Sequence, residues 1–300
     1  MRFSILGPMS VTENTEKGDD RTPSAPKHRQ MLALLLLNAN RVVSMAQFVE
    51  ELWEYSPPPR AVAAVHTYVM QLRRILQDGG PAAGAPVRLL TRDQGYLLRV
   101  RDGELDLHTY EHLIRAGRAA IDEGSPASGA RQLRAAHAMW SGSSGVDAPA
   151  GPLLSAAFAA LERDRADSLV QRVGAELRLG RHHELLAELS ALVHLDPTDE
   201  RLTGQLMLAL YRSGRQADAL DVFHRLRRAL REELGTSPHP EIHRLITDIL
   251  AGRPHLEPPA TGAYRLSLDA AGLPPARPAA APARPGRPRH PAPGPVLLGA

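Results

Sequence analysis

The sequence predicts a mainly α protein in two parts, a small N-terminal domain of strands, three helices and a closing β-hairpin, followed by an all-helical domain. Three observations carry this. Across the first hundred residues the hydrophobic pattern changes from short strand-like runs to helical stripes and back. From Leu107 to Leu250 the pattern is helical, with no convincing strand. Within that region the segment from Gly180 to Leu189 recurs, 34 residues on, as Gly214 to Phe223.

The first segment, Arg2–Val11, reads as a strand or short hairpin broken at Gly7-Pro8, and the polar stretch Glu13–Ala25 reads as a loop. Pro26 opens a helix through Leu37, since proline suits a first helical turn. Its run Met31–Leu37 is apolar nearly all round, so the helix should be buried on most sides. Ser44 and Gln47 form a capping-box pattern ahead of Phe48, Leu52 and Trp53, and Pro57-Pro58-Pro59 ends that second helix. A third helix spans roughly Arg60 to Leu76, with Val65, Val69, Leu72 and Leu76 on one stripe. A loop follows at Gly79–Gly84. Two strands, Val87–Thr91 and Tyr96–Val100, then flank Arg92–Gly95, where Gly95 is expected to supply the positive φ of a tight turn.

The 34-residue offset is the period of tetratricopeptide helix pairs; with two copies, generic helical hairpins remain the alternative. Beyond Arg253 the chain is rich in proline, alanine and arginine, without the apolar periodicity that offsets ordering entropy, so 253–300 is expected to be a disordered tail. The expected domains are therefore 1–102, 103–252 and the tail.

Composition narrows the function classes. The chain has 300 residues and no cysteine, so disulfides, thiolate metal sites and cysteine nucleophiles are excluded. The N-terminal apolar stretch is too short for a signal peptide and the longest apolar run, Met31–Leu37, cannot span a bilayer, so a cytoplasmic chain with no membrane partner is expected. Lys and Arg outnumber Asp and Glu by twelve to nine in 1–100 and by six to two in 253–300, but number eighteen to twenty-two in 101–252. Polyanion contacts thus belong at the ends. No phosphate loop, dinucleotide fingerprint or zinc-protease motif is present. Ser141–Gly145 lacks the spacing of a nucleophile elbow and reads as a flexible inter-helix loop, and the adjacent His182-His183 cannot chelate one ion from a helix. No enzyme activity, metal or cofactor is expected.

The third helix is the candidate reader of a nucleic acid. Opposite its apolar stripe lie Arg60, Ala63, Thr67, Met70, Gln71 and Arg74, with His66 and Arg73 at the flank. Short side chains permit close approach to a major groove, glutamine can read adenine bidentately, and arginine can read guanine or hold phosphate. Lys27 and Arg29 on the first helix could meet the phosphate backbone, and Arg92 at the hairpin tip could reach a neighbouring groove. The stripe alone also fits a plain amphipathic helix with a solvated face. The order of strands, three helices and a hairpin wing favours a winged helix that binds DNA.

Pro26-Lys27-His28-Arg29-Gln30, Glu51-Leu52-Trp53, Pro57-Pro58, Thr67–Arg74 and Gly95-Tyr96 resemble the N-terminal domain of Streptomyces antibiotic regulatory proteins. Leu105-Asp106-Leu107 through Leu234-Gly235 to Pro238 and Pro240 resembles their tetratricopeptide-like bacterial transcriptional activation domain. The resemblance covers about residues 1–250. It implies an OmpR/PhoB-type winged helix that binds direct repeats near the −35 element of antibiotic gene clusters. It also implies a side-by-side homodimer on DNA that recruits RNA polymerase through the sigma factor. Family members often carry serine then arginine where this chain has Met70-Gln71. No receiver domain is expected ahead of the winged helix and no ATPase module behind it. A repressor on the same fold and a tetratricopeptide-type protein-binding scaffold are the alternatives.

Overall fold

The chain begins with a hairpin, β1 (Arg2–Ser4) and β2 (Ser10–Thr12), in which Phe3 stands opposite Val11 and both are fully buried. The computed structural model describes residues 1–13, 19–77, 88–145 and 147–257. The loop expected at Gly79–Gly84, most of the expected tail and part of the polar stretch after Thr12 lie outside the described residues.

Helix α1 (Pro26–Leu37) carries its proline in the first turn, and every residue from Gln30 to Leu36 is buried. It stops at Asn38, whose Nδ2 donates to the Leu34 carbonyl at 2.9 Å. The next three residues of regular structure, β3 (Val42–Ser44), escaped the hydrophobic pattern because so short a run shows no period. Ser44 ends β3 and caps α2 (Met45–Trp53). Its Oγ accepts from the Gln47 amide at 3.2 Å, while Gln47 Oε1 accepts from the Ser44 amide at 2.9 Å. Two orphan donors of the helix start are thereby satisfied. Helix α3 (Ala61–Ile75) follows the proline run and buries Val65, Val69 and Leu72. Removing each from water contributes about 1.5–3 kcal/mol.

Strands β4 (Leu89–Arg92) and β5 (Gly95–Leu98) form the expected hairpin, and β3 joins it to give a three-stranded antiparallel sheet in the order β3-β5-β4. Gly95, expected to supply a positive φ in the turn, does not have one. It sits in the strand, paired with both Ser44 and Arg92, and a Cβ at this position would overlap the Val43 carbonyl. Close approach of β3, not a turn conformation, requires the glycine.

The helical part comprises α4 (Asp106–Asp122), α5 (Pro126–His137), α6 (Pro152–Arg178), α7 (His182–Leu195), α8 (Glu200–Arg212), α9 (Gln216–Ala229) and α10 (Pro240–Leu250). Gly180 and Gly214, singled out by the internal repeat, have φ of 75° and 74° and end α6 and α8 with the same pair of bonds. In each, the next amide reaches back five residues: Arg181 to Glu176 at 3.1 Å, and Arg215 to Leu210 at 2.9 Å. This is the left-handed glycine stop of a helix. Gly124 and Gly252 repeat it after α4 and α10, with Ser125 bonding Ala120 and Arg253 bonding Asp248. Residues 253–257, assigned to the tail by composition, instead form a turn whose Leu256 is buried and whose carbonyl accepts from Arg212 Nε at 2.7 Å.

Among the described residues two hydrophobic cores can be traced, and they divide within α6. Leu154 and Phe158 belong to the first core with α1–α5 and both sheets, whereas Val173 and Leu177 belong to the second with α7–α10.

Carboxylates that receive backbone amides join the winged helix to the helical part. Glu51 of α2, buried, accepts from Gly151 at 2.6 Å and from Leu153 and Leu154 at 3.0 Å, all at the start of α6. Unpaired amides and the dipole of a helix start favour such a charge. Asp106, first in α4, accepts from Ile5 at 2.9 Å and Leu6 at 3.2 Å. Burial pushes its carboxyl above the ordinary value, and those amides oppose the rise. The Ser141–Gly145 loop, expected to be flexible, is stitched to the first hairpin. Its Ser141 amide donates to Leu6 at 3.0 Å and its Gly145 amide to Ile5 at 3.2 Å. Gly7 has no room for a Cβ because Ser141 Oγ occupies that space.

Candidate nucleic-acid interface

Helix α3 lies with Val65, Val69 and Leu72 against the core and turns Ala63, His66, Thr67, Met70, Gln71 and Arg74 to solvent. Arg60, just ahead of the helix, is also exposed. Of the ten residues expected at the interface, these six (all but Met70 of those named on the helix, with Arg60) lie together on one surface. Arg92 is exposed at the end of β4, on the wing. None of Arg60, Arg74 and Arg92 enters an ion pair among the described residues. Three guanidinium groups are therefore unneutralised, two at the ends of α3 and one on the wing, which suits a polyanion.

Arg73 has a different place. Its Nε donates to the Leu89 carbonyl at 3.0 Å and its Nη2 to Thr91 Oγ1 at 2.7 Å, while the guanidinium lies 5.8 Å from the Tyr96 ring centre. His66 meets the same ring edge-on at 6.4 Å. Arg73 thus ties the wing to α3 and sets the distance between the two candidate DNA-contacting elements.

Lys27 and Arg29, expected to meet phosphate, are engaged inside the chain. Lys27 Nζ donates to the Leu52 carbonyl and lies 5.9 Å from the Trp53 ring centre. Arg29 pairs with Asp147, which also accepts from the Met9 amide at 2.8 Å. The physical reason is the depth of α1: a helix apolar on all sides brings even its first turn against neighbouring elements.

Sequence reasoning missed His28 and Glu51. The His28 ring packs edge-on to Tyr68 at 5.2 Å, and its Nε2 hydrogen-bonds Gln71 Oε1, so α1 holds a side chain of the outward face of α3. Glu51 had a legible signal, a carboxylate on the same helical stripe as Phe48 and Leu52. Its amide partners lie 100 residues away and gave none.

Comparison with known proteins matches the chain to a family. The model described as transcriptional regulatory protein, C terminal, matches residues 19–98, and that of the bacterial transcriptional activator domain matches 105–250. Regulatory protein DnrI of Streptomyces peucetius is 37% identical over 260 residues, covering 86% of this chain and 94% of DnrI. The chain belongs to the Streptomyces antibiotic regulatory protein family. It is a transcriptional regulator of that type, with an OmpR/PhoB-type DNA-binding domain. Regulatory protein AfsR of Streptomyces coelicolor is 36% identical over 85% of this regulator, which spans only 25% of AfsR. A solved structure of Mycobacterium tuberculosis EmbR, in complex with a low-affinity phosphopeptide, superposes with a TM-score of 0.76 at 34% identity. That match covers 84% of this regulator and 65% of the EmbR chain. Among the described residues, no helix is long and apolar enough to cross a membrane.

Proposed function

We propose that this regulator activates a secondary-metabolite gene cluster in the cytoplasm by binding direct repeats near a −35 element as a side-by-side pair and engaging RNA polymerase with its sigma factor. The observation that carries the reading is the outward face of α3. Ala63 and Thr67 supply short side chains on that face, and Arg60 and Arg74 stand exposed towards its two ends with Arg92 on the adjacent wing. Arginine–phosphate contacts supply salt-dependent affinity, α3 supplies readout of base edges, and pairing on repeats raises the effective concentration of the second copy.

Footprinting on the promoters of the neighbouring gene cluster, followed by transcription with purified polymerase, tests it. The expected result is protection of two sites about one helical turn apart, with stimulated transcription. Protection with occlusion of polymerase would replace the activator with a repressor. A chain that shifts no promoter duplex would be a protein-binding scaffold.

A further inference from the structure

We infer that α3 recognises thymine through its 5-methyl group, with Met70 and Thr67 as the specificity-determining residues. The inference rests on the proposed seating of α3 in a major groove and says what the helix reads there.

At 100° per residue, Ala63, Thr67, Met70 and Arg74 fall within about 60° of one another, opposite the buried stripe. They form the most outward line of the helix. Of the four, only Arg74 has donors available for a base edge. Thr67 has committed its hydroxyl proton, because Oγ1 donates to the Ala63 carbonyl at 3.1 Å. What it offers a base is then a γ-methyl and an oxygen that can only accept. Ala63 contributes a methyl, and Met70 a thioether chain that is 53% exposed, unusual for so large an apolar side chain. Gln71, the residue best suited to bidentate reading of adenine, lies to one side with Oε1 already bonded to His28.

Three consecutive outward positions therefore offer hydrocarbon where a groove-reading helix commonly offers hydrogen-bonding groups. In the major groove the apolar feature that distinguishes one base from the others is the thymine 5-methyl. The exposed Arg60, Arg74 and Arg92 around this stripe identify the occupant as nucleic acid rather than the apolar face of another protein. Met70 is a polarisable, unbranched chain that adapts to such a contact.

The test begins with the full chain selecting its site from random duplexes. Each thymine of the selected site is then replaced by deoxyuridine, which keeps every hydrogen-bonding group and lacks only the methyl. The expected result is about fourfold weaker binding at one or two positions. Met70→Ala should abolish the thymine–deoxyuridine difference at one of them. Thr67→Ser, which retains the hydroxyl bonded to Ala63, should abolish it at another. If the chain binds its selected site specifically but tolerates every replacement, or if both variants still discriminate, the methyl inference is overturned while the seating of α3 stands. If no site is selected, the DNA-reading proposal itself fails and takes this inference with it.

Discussion

The carboxylate of Glu51 receives the amide of Leu154 at 3.0 Å, although 103 residues separate them. Together with the Gly151 and Leu153 amides this makes a side chain of the winged helix the cap of the longest described helix, α6. A reading head held this way does not swing freely, because rotation would strip a buried carboxylate of its donors.

Replacing Glu51 with alanine should lower stability by about 3 kcal/mol, since Gln30 and three helix-start amides lose their acceptor. Glu51→Gln keeps one oxygen and should lose about half as much. Urea denaturation of the two variants beside the parent measures this; an alanine variant within about 0.5 kcal/mol of the parent would remove Glu51 from the account.

Gly95→Val should disrupt the three-stranded sheet. The added carbon atoms collide with the Val43 carbonyl, a backbone atom that cannot rotate aside. A loss of about 2 kcal/mol or more is expected, with slower-exchanging amides at Val43 and Leu97 becoming labile in hydrogen exchange. Unchanged protection there would show that β3 has room to shift.

His137 should make stability depend on pH. It lies on α5 with its Nε2 3.2 Å from Ser168 Oγ, and burial, aided by Arg172 and Arg165, pushes its pKa down to about 4. The unfolded chain therefore takes up a proton near pH 6.5 that the folded chain refuses. Stability should fall as pH drops from about 6.5 towards 4, by about 1–2 kcal/mol after allowance for solvent screening. His137→Gln should flatten that slope. Denaturation midpoints at pH 7.5 and 5 read the difference, and parallel slopes in parent and variant would refute it.

Arg73 and Arg74 are adjacent and should behave differently. Arg74→Ala should weaken DNA binding across sequences, with a salt slope about one unit shallower if its contact is to phosphate. Arg73→Ala should loosen the wing by freeing Thr91 and the Leu89 carbonyl, lowering stability by about 1 kcal/mol. Salt titrations and thermal melts of the two proteins separate the effects; identical profiles would mean the strut and the exposed cation have been misassigned.

The parts of this molecule legible in its sequence were those encoded over short range. The Ser44–Gln47 capping box and the buried α1 each rest on residues within one or two helical turns, and the repeat marked Gly180 and Gly214 without saying that they end helices. The outward face of α3 followed from helical periodicity alone. What escaped was encoded over long range. Strand β3 exists because β5 offers it a partner, and Gly95 is a glycine because β3 passes so near. Lys27 and Arg29 read as free cations only while their partners, the Leu52 carbonyl and Asp147, were unknown. The closeness of His28 to Gln71 is likewise a property of two helices together.

The partition of the cores within α6 bears on how such regulators can be recombined. Exchanging DNA-reading modules between relatives by cutting the gene near codon 103 would leave Tyr110, Leu133, Leu154 and Phe158 facing a foreign surface. It would also force Glu51 to find a new helix start. A chimaera joined midway along α6, between Leu161 and Leu169, inherits an intact interior on either side. The packing unit that holds the DNA-binding fold is thus some sixty residues larger than that fold itself.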